Sequence, residues 1–113
     1  MAKVEVGYLE DVAIISIEGE VDGENFADIT DAFTVAFLKR MSKIVVDMSK
    51  VSYINSQAIS GFLSLNSKVA DVAGKLTLVG LGGEVAKIFD MLRLGEVFSI
   101  SATKDEALKK MKY

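Results

Sequence analysis

Ile44-Val45-Val46-Asp47-Met48-Ser49-Lys50-Val51-Ser52-Tyr53-Ile54-Asn55-Ser56-Gln57-Ala58-Ile59 decides how the chain folds. Ile44 to Met48 is an apolar, largely β-branched run of strand length that carries one Asp. Such a run suits a strand covered on both faces, as in a parallel sheet. A short polar step, Ser49-Lys50, precedes a second apolar patch, Val51 to Ile54. After Ser56 the apolar period changes, with Ala58, Phe62, Leu65, Val69 and Val72 recurring at steps of four, three, four and three. These steps mark one face of a helix. Asn55 or Ser56 therefore stands at the helix N-terminus, where a side-chain oxygen can accept an orphan backbone N–H. A hydroxyl at that place is either a cap or a functional group.

On the N-terminal side, Val4, Val6 and Tyr8 alternate with Glu5 and Gly7, Glu10-Asp11 interrupts, and Val12 to Ile17 resumes an apolar run. Two strands joined by a short turn are expected, closed by Gly19-Glu20-Val21-Asp22-Gly23. Asp22 is the expected N-cap of the next helix, Glu24 to Arg40, whose apolar face is Phe26, Ile29, Phe33 and Phe37. On the C-terminal side, Gly74 is the expected stop of the Ser56 helix. Leu76 to Val79 reads as a strand, Gly80-Leu81-Gly82-Gly83 as a turn and Glu84 to Leu92 as a short helix. Val97 to Ile100 reads as the last strand. A last helix through Met111 opens with Thr103 and Glu106 at capping-box spacing. The pattern predicts one α/β domain over residues 1–113: a mixed sheet, with an opening β-hairpin followed by alternating helices and parallel strands.

Composition narrows the chemistry. The chain has 113 residues, enough for one core, and 50% of them are apolar, so apolar surface is expected to remain for a partner or a second copy, a homodimer. The net charge of −3, with no basic cluster, gives no general attraction to nucleic acid. Neither Cys nor His occurs. This removes disulfides, thiolate chemistry, the commonest general base and the commonest transition-metal ligand. No apolar run has membrane-spanning length, and Met1-Ala2-Lys3 leads into a strand pattern rather than a signal peptide, so a cytoplasmic protein is expected.

Three places could carry chemistry. Ser56 could accept a phosphate, which the partial positive charge and free N–H groups of a helix N-terminus would tolerate. It could equally be an ordinary cap. A nucleophilic role is disfavoured, because no His can activate it and no Gly-x-Ser-x-Gly elbow surrounds it. Gly80 to Gly83 follows a strand and opens a helix, as a phosphate-binding loop would. It lacks the Lys-Ser/Thr of a P-loop and the spacing of a dinucleotide fingerprint. Asp47, near the end of a central strand, invites comparison with a phospho-acceptor Asp. The Mg²⁺-binding acid pair that such a site needs after the first strand is replaced here by a hairpin, with Glu20 and Asp22 after the second strand. A small nucleotide- or phosphate-binding protein using Gly80–Gly83 and Asp47 remains the rival reading.

Three segments in order resemble the anti-sigma factor antagonists of the STAS-domain family. Gly19-Glu20-Val21-Asp22 is similar to the family's Gly-Glu-Leu-Asp. Val51-Ser52-Tyr53-Ile54 followed by Asn55-Ser56-Gln57-Ala58-Ile59 resembles its hydrophobic lead-in and Asp-Ser-Ser/Thr/Ala-Gly-Leu/Ile signature. Val85 to Leu94 resembles the segment before its last strand. The resemblance implies a non-enzymatic, bacterial partner-switching regulator of transcription that needs no cofactor or metal. Its unphosphorylated form binds an anti-sigma factor, often a serine kinase, and phosphorylation of the Ser after the signature Asp ends that binding. By position the phosphorylated residue is Ser56, and Asp22, Tyr53, Ile54, Asn55, Ser56 and Gln57 form the partner surface. Asn55 stands in place of the Asp, Gln57 in place of a small residue, and Ala58 in place of Gly. These departures bear on kinase recognition more than on the fold. A STAS scaffolding module, with Ser56 only a cap, is the reading that drops phosphoregulation.

Overall fold

The computed structural model of the protein describes residues 2–111. Five strands form one sheet: β1 (Ala2–Leu9), β2 (Val12–Val21), β3 (Lys43–Ile54), β4 (Lys75–Val79) and β5 (Ser99–Ser101). They lie side by side in chain order. β1 runs antiparallel to β2, and every later neighbour is parallel. Helices α1 (Phe26–Leu38), α2 (Ser56–Asp71) and α3 (Gly83–Met91) make the crossovers, and α4 (Lys104–Met111) follows the last strand. The opening hairpin and the alternation expected from the sequence are both present.

The strands are buried on two faces because their side chains alternate. Ala13, Ile15 and Ile17 of β2 and Ile44, Val46 and Met48 of β3 share one cluster with the apolar faces of α1, α2 and α3. Val12, Val45 and Val79 point the other way, onto Ala107 and Met111 of α4. Val45 and Val46 are therefore both fully buried, which is why Ile44 to Met48 reads as an unbroken apolar run.

Several boundaries differ from the sequence reading. β3 is one strand of 12 residues rather than a short strand and a separate patch. β4 pairs with it only as far as Asp47, whereas β2 stays paired to Ile54 through two register shifts. The Ser49-Lys50 step belongs to this outer ribbon, where one face is open to water. Leu94–Glu96 forms a 3₁₀ turn, and Phe98 turns inward to stack near Phe89 at 5.9 Å, so β5 begins only at Ser99. At the end of α2, Ala73 rather than Gly74 takes the left-handed conformation. Gly74 is instead fixed by space, since a Cβ there would run into the Ser42 carbonyl.

The capping-box expectation at α4 is met on one side. Thr103 Oγ1 accepts the Glu106 N–H at 3.2 Å. The Glu106 carboxylate returns to the Ala102 N–H rather than that of Thr103.

Candidate functional site at the β3–α2 junction

The C-terminal ends of β2 and β3 carry the chain into two adjacent helix starts. Val21 pairs with Ile54, and the Asn55 N–H donates to the Val21 carbonyl at 3.2 Å. Asn55 has extended backbone and is the N-cap of α2. Its Oδ1 accepts the Ala58 N–H at 2.9 Å. Ser56 is thus the first helical residue. Its side chain is exposed and makes no hydrogen bond among the described residues. No acidic residue lies in the first turn of α2, so the partial positive charge of its N-terminus is not offset from within the helix.

Beside this junction, the Asp22–Asn25 loop closes on itself. Asp22 Oδ1 accepts the N–H groups of Glu24 at 2.9 Å and Asn25 at 3.0 Å. Asn25 Oδ1 accepts the Asp22 N–H at 3.0 Å, and its Nδ2 donates to the Glu20 carbonyl at 2.9 Å. This corrects the expectation that Asp22 caps α1. Its carboxylate closes the turn before the helix, and Asn25 occupies the N-cap position without a side-chain capping bond. The Gln57 side chain lies over Gly23, occupying the space that a Cβ at Gly23 would need. Below, the rings of Phe26 and Phe62 meet edge to face at 5.0 Å, and Phe26 fills the space above Gly61. The loop and the start of α2 therefore form one packed surface.

The structure gathers Asp22, Asn55, Ser56 and Gln57 at this junction, with Tyr53 about half exposed on the strand leading in. Ile54 is different: it is 1% exposed and packs in the core, so it anchors the strand and cannot itself touch a partner. Sequence reading missed Asn25, whose side chain ties the loop to Glu20. The signal available was a second Asx residue three positions after Asp22.

The two rival features have structural explanations. Burial alone would raise the Asp47 carboxyl, but the Ser49 N–H and hydroxyl and the Lys104 ammonium, 3.7 Å away, outweigh it and hold the carboxyl below its ordinary value. Gly80 has a φ of +75°, and a Cβ there would press on Ser49, on its Cβ first and then on its backbone. Gly83 opens α3 at a φ of +55°, and Glu84 places a carboxylate in the first turn, where a phosphate would be repelled. Among the described residues no group of acidic side chains could hold a metal ion, and no helix is long and apolar enough to cross a membrane.

The hairpin-led mixed sheet defines a class of fold, and the family comparison agrees with it. Residues 3–107 match the STAS domain, and the chain belongs to that family. Among its relatives is the anti-sigma-B factor antagonist of Listeria monocytogenes, 23% identical over 92 residues, 81% of each chain. The fold is shared with an anti-sigma factor antagonist from Mycobacterium paratuberculosis at a TM-score of 0.88 and 19% identity, covering 100% of this chain and 96% of that one. It is also shared with the phosphorylated form of the Bacillus cell fate determinant SpoIIAA, at a TM-score of 0.72 and 19% identity over 96% and 98% of the two chains.

Proposed function

We propose that the protein is an anti-sigma factor antagonist, a non-enzymatic cytoplasmic regulator that binds an anti-sigma factor of the serine-kinase type. Asp22, Tyr53, Asn55, Ser56 and Gln57 form the contact surface, and phosphorylation of Ser56 ends the binding. The observation that carries this reading is the division of labour at the α2 N-terminus. Asn55 satisfies the capping donor, so the Ser56 hydroxyl is left exposed and free for a kinase. The names of the curated relatives supply the partner class. ATP belongs to the kinase.

The test is to incubate the protein with an anti-sigma serine kinase from the same genome and ATP, and to map phosphate by mass spectrometry. Phosphate on Ser56, absent from Ser56→Ala, is the expected result. Stable binding to the kinase with no phosphate on Ser56, in the wild type or in Asn55→Asp, would leave the scaffolding module.

A further inference from the structure

We propose that a second copy of this chain docks on the free edge of β1, joining the two five-stranded sheets into one about a two-fold axis. The inference is independent of the reading of Ser56, since β2 stands between this edge and the β3–α2 junction.

β1 is an unusual edge. It has eight residues and pairs with β2 in unbroken register from Ala2 to Leu9, with no bulge and no Pro. Its other side faces no strand among the described residues. A long, regular edge of unpaired N–H and C=O groups is a template for another strand, and proteins that leave it unused usually shorten, kink or cover it. Here it is also apolar on the helical face. Val6, Tyr8 and Val35 are 38%, 41% and 42% exposed. Val4, Val6 and Tyr8 line a shallow groove with Asp28, Asp31 and Val35 of α1.

Charge identifies the occupant. Lys3 and Glu5 stand on the opposite face of β1 and pair along the strand at 3.3 Å. In a two-fold antiparallel pairing with Val4 opposite Val4, each Lys3 faces Glu5 of the second copy, and each Glu5 faces its Lys3. Centring the axis on Glu5 sets two carboxylates against each other, and centring it on Val6 puts Lys3 against Leu9 and leaves both charges unmatched. A uniformly acidic or basic partner would suit one of Lys3 and Glu5 and oppose the other. A reversed copy satisfies both.

The experiment is sedimentation velocity on the full chain over a wide concentration range. The wild type should pass from monomer to dimer as concentration rises. Lys3→Glu and Glu5→Lys should each weaken the dimer by about tenfold or more, because each replaces attractive cross-strand pairs with like-charged ones in both halves of the interface. Mixing the two single variants should restore association, since every cross-strand position then carries opposite charges. That rescue also shows that both variants are folded. Val6→Lys, with an unchanged circular dichroism spectrum, should be monomeric. A wild type that stays monomeric throughout, a dimer indifferent to Lys3→Glu, or single variants that fail to associate when mixed would overturn the proposal.

Discussion

Asn55 and Ser56 are adjacent polar residues with separate tasks, and substitution should separate them. Asn55→Ala removes the acceptor of the Ala58 N–H and should cost about 0.5–2 kcal/mol in urea unfolding. Ser56→Ala removes an exposed hydroxyl with no described partner and should stay within about 0.5 kcal/mol of wild type. Both residues are acceptable caps by type, and their order on the strand exit decides between them. The sequence placed the helix start correctly but left the cap open, because backbone dihedrals are what distinguish N-cap from N1. At Asp47 the folded-state carboxyl lies below its ordinary value of 3.8. It therefore adds stability that is complete well above that value and is lost as pH falls through the depressed folded value. Asp47→Asn should accordingly destabilise the protein at neutral pH, and the difference from wild type should vanish on acidification below both values. Thermal melts of the two proteins across that range would show it.

The α2 helix was legible at the scale of the element because its period and its packing agree. Phe62, Leu65 and Val69 are 0%, 2% and 2% exposed against the sheet, and the 16-residue helix makes the four to five turns that the spacing implies. Phe62→Ala should cost about 3–5 kcal/mol, since it empties a fully buried site and removes the edge-to-face contact with Phe26. That contact also holds the Asp22–Asn25 loop beside α2, so hydrogen exchange in the loop should rise with it. β3 was less legible. A polar step inside a strand looks like a connection when the loss of one neighbour is unknown, and here β4 stops at Asp47 while β2 continues. The last strand was misplaced for a related reason. Phe98 has strand-like chemistry, yet it is drawn under the 3₁₀ turn towards Phe89. The Asp22 cap failed because its carboxylate meets the Glu24 and Asn25 N–H groups first, three residues before the N-cap position of α1.

At the scale of the whole molecule, the phosphate proposed for Ser56 should act at the interface rather than on the fold. A phosphate adds about −1.5 to −2 charges, which the N-terminus of α2 accommodates. Circular dichroism and melting temperature should therefore be nearly unchanged on phosphorylation. A partner that desolvates this surface must instead contend with the added charge. Order and type of elements, core faces and the position of Ser56 were legible in the chain. The loop packed beside Ser56 was not, because Gln57 over Gly23 and Asn25 against Glu20 are contacts of tertiary structure without a periodic signature. The most direct test is titration calorimetry of an anti-sigma serine kinase from the same genome with the unphosphorylated wild type, Ser56→Ala and Ser56→Asp. Wild type and Ser56→Ala should bind alike, and Ser56→Asp should bind at least about tenfold more weakly, a difference of about 1.4 kcal/mol. Equal affinity of all three for the kinase would contradict a switch at Ser56.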